Sequence, residues 1–251
     1  MEKREKAGVS ITAVHCIKLV FRVALFLLAI VLYVVNYKEH AEDPFGGLEG
    51  SKWLLWFAGA VLFIEMLMRY FPSKHDSIGC QKFFKRNYLP TGKSEPVLPK
   101  KSRAVVAASA WFLLNGAIWT LYFTGVIDAG ILVLVCIFYS VGDKICVLFF
   151  CPFQALFMKN KCCATCRIYN WDFPMMCTPL WLVPGIFSRV LAVMSLGILL
   201  VWELSLIRHP ERFSENTNAC LSCKNCKEPV CRGKRKTAKL LPFLSFKRSD
   251  K

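Results

Sequence analysis

AGILVLVCIFYSVGDKICVLFFCPFQALFM, residues 129–158, decides the class of fold. The stretch holds two charges, Asp143 and Lys144, among residues that are otherwise almost all apolar. A run of about 20 apolar residues is what crosses the hydrocarbon core of a bilayer. At about 1.5 Å per residue, one helix through the whole stretch would reach about 45 Å, more than a bilayer needs. Gly142-Asp143-Lys144 interrupts the run, and Pro152 can kink its last residues. The reading is a span with an amphipathic end that emerges on the cytoplasmic side.

Four more apolar runs lie at residues 11–37, 53–71, 104–124 and 179–207. The first has the outline of a signal peptide, but it is too long and lacks a small-x-small cleavage site, so it reads as an uncleaved helix. Pro184-Gly185 breaks the last near its start. The expected fold is therefore all-α: a polytopic transmembrane helix bundle of about five spans over residues 1–207. A basic, cysteine-rich tail occupies residues 208–251. The chain has 251 residues, 55% of them hydrophobic, which suits one such bundle.

The charge balance fits the same reading. Lys and Arg number 33 against 17 Asp and Glu, a formal +16. On a soluble protein this would suggest nucleic acid. Beside apolar spans it is the bias that sets orientation, and no nucleic-acid partner is expected. The loop 72–103 carries eight basic residues and two acids. It is placed in the cytoplasm with the N-terminus, and its Cys80–Arg86 portion reads as a basic-aromatic patch on anionic lipid headgroups. Five spans then put the tail outside, against its twelve basic residues. The competing assignments make 179–207 re-entrant or split 129–158 at Gly142.

Two cysteine clusters carry the candidate chemistry. Cys162, Cys163 and Cys166 lie between the last two apolar runs, and Cys220, Cys223, Cys226 and Cys231 lie in the tail. Cysteines two residues apart suit a metal, because a tight turn aims both sulfurs at one ion. Cys163–Cys166 and Cys223–Cys226 together make a CxxC…CxxC set, able to share one ion only if both face one compartment. The tail alone reads C-x2-C-x2-C-x4-C. It is similar to a ferredoxin run with one residue too many before Cys231 and Arg232 where proline is expected, which favours zinc over an iron–sulfur cluster. The redox alternative treats either pair as a dithiol/disulfide in a thiol or electron-transfer oxidoreductase. The bland alternative leaves all seven as thiols.

Other residues have structural readings. Lys18 and Arg22 snorkel from the start of the first span. Glu65 and Arg69 stand four apart and pair on one helix face. Arg167, Tyr169 and Trp171 are interfacial anchors, and Asn170 or Asp172 caps the turn into 173–177. Asp143 and Glu203 need partners from other helices, with Arg69 and Lys18 the candidates. Lys144 points about 100° away from Asp143 and is not its natural partner. The four histidines are isolated. Hydrolase, kinase and nucleotide motifs do not occur.

CCATCRIYNWD, HPERFSENTN and CLSCKNCKEPVC, spread over residues 161–231, resemble an uncharacterised family of cysteine-rich bacterial multi-spanning membrane proteins. The resemblance implies a bacterial cytoplasmic membrane and no activity. Three functions stand as expectations: a binding or sensing module with a cysteine-based metal site, a membrane thiol oxidoreductase, or a transporter or accessory subunit using Glu65, Asp143 and Glu203.

Overall fold

The computed structural model of the protein describes residues 11–39, 49–73, 77–160, 162–222 and 225. It is all-helical, with no strand among these residues. The long helices are α1 (Ile11–Glu39), α2 (Glu49–Arg69), α4 (Lys101–Phe123), α5 (Ala129–Leu148) and α7 (Ile186–Arg208), with the short helices α3 (Ile78–Gln81) and α6 (Asp172–Cys177) between them. Four, namely α1, α4, α5 and α7, are long and apolar enough to cross a membrane among the described residues. Their outward faces stay apolar: Leu113 is 76% exposed and Ile207 74%.

The expected runs become helices with informative differences. α5 passes straight through Gly142 and ends at Leu148, capped at its start by Asp128, whose side chain accepts from the Ile131 amide at 2.8 Å. Pro152 then opens a π-helical turn, Phe153–Met158, closed by Lys159 in the left-handed region. The turn packs on α4. The long stretch is thus one long helix plus a helical end, as its length implied.

The larger difference lies at residues 179–207. α7 starts only at Ile186, after Gly185 at φ +122°, a conformation that favours glycine. The residues before it belong to a separate, broken run formed by α6, the 3-10 turn Thr178–Trp181 and the link 182–185. This run goes through the bundle from end to end, over roughly 25 Å by helical rise. Asp172 meets Arg69 at the end of α2; Thr178 meets Trp111 about halfway along α4, at 3.1 Å; Gly185 lines the same cavity as Asp128, the residue that caps α5. Irregular backbone at membrane depth is tolerated only inside protein. Phe173, Met176, Cys177, Leu180 and Val183 are accordingly buried with Met66, Leu132, Leu191 and Ile198 in the main core.

The broken run reverses the expected polarity of α7. Its start lies over the start of α2, where Phe187 stacks on Trp56 at 4.7 Å and sits against Gly59. Its C-terminal end lies beside the loop 77–100 and the cysteine loop. Residues 209–222 are tied to that same end: Ala219 N–H donates to Leu89 O at 2.8 Å, Thr91 N–H to Thr217 O at 3.2 Å, and Arg212 to Phe83 O at 2.9 Å. The expectation that the tail faces away from the loop 72–103 therefore fails for residues 209–222, because the apolar run 179–207 conceals a further traverse of the bundle. Cys80, Gln81, Lys82 and Phe83 are also buried under this layer rather than spread on a lipid surface.

Gly59 sets the approach of α2 to α7. A Cβ there would fall 2.0 Å from the Phe187 ring. Gly59→Leu is expected to cost about 1–3 kcal/mol of stability by overpacking. In a double-mutant cycle in detergent, adding Phe187→Ala should lose clearly less than the sum of the two single changes. Simple additivity would refute the close approach.

Candidate functional site

The apolar bundle encloses a chain of charges. Arg22 of α1 reaches Glu65 of α2 through one guanidinium nitrogen. Through the other it reaches Asp143 of α5 at 3.2 Å and the Ser140 carbonyl at 2.7 Å. Lys18 adds a second bond to Glu65 at 2.9 Å, and Lys144 a second to Asp143 at 2.7 Å. Arg69 pairs with Asp172 at 2.9 Å and holds Asn170 Oδ1 at 2.9 Å. Ionised groups cost several kcal/mol facing lipid. Helical spacing brings at least one from each of α1, α2, α5 and α6 to the interior, where they satisfy one another.

These pairs revise several expectations. Arg22 is buried and holds three elements together instead of snorkelling. Glu65 pairs with α1 and Arg69 with Asp172, so the two do not pair with each other. Lys144 does serve Asp143, at 2.7 Å, despite the 100° between neighbouring positions on a helix. Glu203 is met by Arg167 at 2.7 Å and by Trp171 Nε1 at 2.8 Å, so these residues fasten the cysteine loop to α7.

Two cavities flank the charge chain. One, about 570 Å³, lies toward the far end from the cysteine loop. Apolar walls from Phe21, Trp56, Leu180 and Phe187 descend to Arg22, Glu65 and Ser140. The other, about 250 Å³, lies toward the cysteine loop and touches Arg69, Asp143, Lys144, Asp172 and His15. Arg22 and Asp143, which bond to each other, belong to different cavities, so their pair stands between them. His15 Nδ1 and Asp172 Oδ1 are buried without a partner among the described residues. No local pattern in the sequence marks His15; only the packing of α1 on α5 brings it here.

The cysteine loop closes the second cavity. Cys162, Cys163 and Cys166 share one tight turn, in which the Cys166 amide donates to Cys163 O at 2.9 Å. The Cys163 thiol donates to Gln154 Oε1 at 2.9 Å, and Cys166 packs with Ala104, Ala107 and Met158. Cys163 and Cys166 line the cavity with Cys146 and Cys151. Cys220 sits in the 3-10 turn Ala219–Leu221, its amide held by Asn218. Cys223, Cys226 and Cys231 lie outside the described residues. Among the described residues no three His, Cys, Asp or Glu side chains converge as a metal ion requires. Burial pushes the Cys166 thiol up to about 11, so it keeps its proton at neutral pH.

Lys82 holds this end together. It is fully buried, and Nζ donates to the carbonyls of Ala164 at 3.0 Å and Cys166 at 2.7 Å. The ammonium also lies 5.1 Å from the Trp202 ring and 5.5 Å from that of Phe213. Trp202 Nε1 donates to Arg167 O at 2.7 Å. One cation thus joins the loop 77–87, the cysteine turn, α7 and the start of the tail.

Comparison of the chain with protein-family models, curated proteins and solved structures finds no match.

Arg22→Gln leaves Glu65 and Asp143 facing each other with one cation fewer and should cost about 3–5 kcal/mol. Glu65→Gln should cost much less in that background than alone, as unfolding in detergent would show. At the end beside the cysteine loop, burial lowers Lys82 from the ordinary 10.5 to about 8. Above pH 8 the unfolded chain binds more protons at this residue than the folded one, so its contribution to stability rises with pH. Cys166, raised from 9.0, opposes this above pH 9. Between pH 8 and 9 the wild type should therefore gain stability relative to Lys82→Met, and a flat difference would refute the assignment.

Proposed function

We propose that the protein is an integral membrane protein of six crossings that moves a small solute between its two cavities, past the ion pairs at its centre. The carrying observation is the Arg22–Asp143 pair, set between two cavities that lie toward opposite ends of the bundle. Such a pair can exchange partners as a solute passes: Arg22 already divides its guanidinium between Glu65 and Asp143. The exposed apolar faces of α1, α4 and α7 meet lipid, and 172–185 is the crossing shielded by protein.

The charge distribution supports an orientation. The described residues 77–103, 162–171 and 208–222 share one end and carry Lys82, Lys85, Arg86, Lys93, Lys100, Lys101, Arg103, Arg167, Arg208 and Arg212; that end is cytoplasmic. The sequences that join the helices at the other end, 40–48, 124–128 and 182–185, contain no Lys or Arg. Lys85, Arg86, Lys93 and Lys100 are exposed at the cytoplasmic end and are the groups that would meet anionic headgroups.

The cysteine reading stands second, supported by residues 209–222 lying on the same end as Cys162, Cys163 and Cys166. A shared zinc site then requires Cys223 and Cys226 to fold back beside that turn. Zinc in anaerobically purified protein that disappears in Cys223→Ser/Cys226→Ser would establish it; metal-free protein would dismiss it.

Reporter fusions truncated after Asn160, Gly185 and Lys251 should read cytoplasmic, external and cytoplasmic; an external signal at Lys251 contradicts six crossings. In proteoliposomes carrying a pH-sensitive dye and a potassium diffusion potential, the wild type should pass protons, or labelled small organic cations or anions, faster than empty vesicles. Asp143→Asn should lower the flux at least tenfold. Flux equal to that of empty vesicles for every probe would overturn translocation.

A further inference from the structure

The end that carries the cysteine loop holds a third cavity, of about 620 Å³, which the translocation reading does not use. Residues 97–99 before α4, the end of the π-helical turn at 158–160 and the start of the tail at 213–216 line it. Arg103 and Lys159 face one acid there, Glu215, and Lys100 and Lys101 are exposed just before Arg103 in the chain. Among the described residues neither Arg103 nor Lys159 forms an ion pair. Arg103 spends one N–H on the Met158 carbonyl, at 3.1 Å, of the five that a guanidinium carries. The uncharged side chains are already engaged. Asn160 donates to Cys162 O at 3.0 Å, Ser214 to Val97 O at 3.1 Å and Asn216 to Glu95 O at 3.0 Å. The donors with capacity to spare are therefore the two cations, and a guanidinium binds a phosphate through two parallel N–H bonds.

The position of the cavity names the source of the anion. α4 is long and apolar enough to cross a membrane, and Arg103 is its third residue. Val106, three residues on and hence on a neighbouring part of the helix face, is 53% exposed. Val97, which lines the cavity, is 71% exposed. A cationic cavity that passes directly into exposed apolar surface at the start of a spanning helix matches a phospholipid, with its phosphate at the interface and its acyl chains along the helix. A free phosphate has no contact to make with Val97 or Val106. The volume lies within the ~300–1,000 Å³ of small-molecule sites, enough for a headgroup.

We infer that this cavity seats the phosphate of one anionic phospholipid, with Arg103 and Lys159 as its donors. The inference rests on the membrane reading and is independent of translocation. It differs from the attraction of Lys85, Arg86 and Lys93 for a charged surface, in which no single lipid is held. The full chain can be released for native mass spectrometry from neutral detergent micelles holding equal amounts of phosphatidylglycerol and phosphatidylcholine. It should retain one lipid, the anionic one in about tenfold excess. Phosphatidylcholine carries the same phosphate with a cation attached, which Arg103 and Lys159 disfavour. Arg103→Gln and Lys159→Asn should each cut the excess about fivefold. Asparagine suits the left-handed backbone at 159, so that variant tests the site even if Arg103→Gln fails to fold. Glu215→Gln should raise the excess. Lys85→Gln/Arg86→Gln/Lys93→Gln should change it less than about twofold, because exposed charges away from the cavity are screened. Equal retention of the two lipids, an excess unchanged in Lys159→Asn, or an equal loss in the Lys85/Arg86/Lys93 variant would overturn the site. Displacement of the retained lipid by glycerol phosphate would overturn a lipid as its occupant. Selective retention without vesicle flux would overturn translocation and leave the site standing; flux without selective retention would do the reverse.

Discussion

A guanidinium inside an apolar bundle must have its charge met, and Arg22 meets that demand by drawing two carboxylates from two other helices. Glu65 and Asp143 cannot serve it unless α2 and α5 lie against α1 at the depth of Arg22. The constraint acts on register as well as on contact. A slip of one residue in any of the three helices would turn a charge by about 100° toward the outside of the bundle, at a cost of several kcal/mol in lipid. Apolar packing between helices in a bilayer discriminates weakly among registers, because lipid tails are as apolar as leucine. The charge chain therefore supplies specificity that the apolar faces cannot.

The second constraint is the path of residues 172–185. Its hydropathy runs into that of α7, so the two merge into one apolar run in the sequence and the traverses come out odd in number. The break is visible as Pro184-Gly185, yet a short broken traverse has no 18-residue apolar window to declare it. Its signature is indirect: the tail's twelve basic residues, which conflict with five spans, are consistent with the six crossings proposed. Helix existence was legible for 11–37, 53–71, 104–124 and the first part of 129–158, because backbone in lipid must bond within itself. Which charges pair was not legible. Pairing depends on helix neighbours, and Glu65–Arg69 and Asp143–Lys144 show local spacing misleading in both directions.

The end that carries the cysteine loop obeys a different rule. It is a polar layer built on one buried ammonium, with Lys82 serving carbonyls of the cysteine turn and the faces of Trp202 and Phe213. In the sequence Lys82 is one of eight basic residues in a loop, and nothing local distinguishes it from Lys85 or Lys93. Its burial comes from Asn170, Asn218 and Arg212, which bond backbone groups of residues 80–89 and close the layer over it. The cysteine turn is thus fastened to Lys82 through its carbonyls rather than its thiols.

The two cavities differ in size and lining. The one far from the cysteine loop is wide and apolar, with its polar groups gathered at the floor, where Arg22 and Glu65 already satisfy each other. The one beside the loop is smaller and is lined by the charged residues Arg69, Asp143, Lys144 and Asp172. In the proposed translocation a polar solute meets paired charges in both cavities and must compete for them. In the proposed translocation, passage toward the far side requires Arg22 to loosen from Asp143, and the surviving bond to Glu65 holds its charge while it does so. Lys18 and Lys144 keep each carboxylate partnered at that moment. The redundancy of cations, with Lys18, Arg22, Arg69 and Lys144 set against Glu65, Asp143 and Asp172, is then what allows one pair to open without exposing a bare charge to the low-dielectric interior.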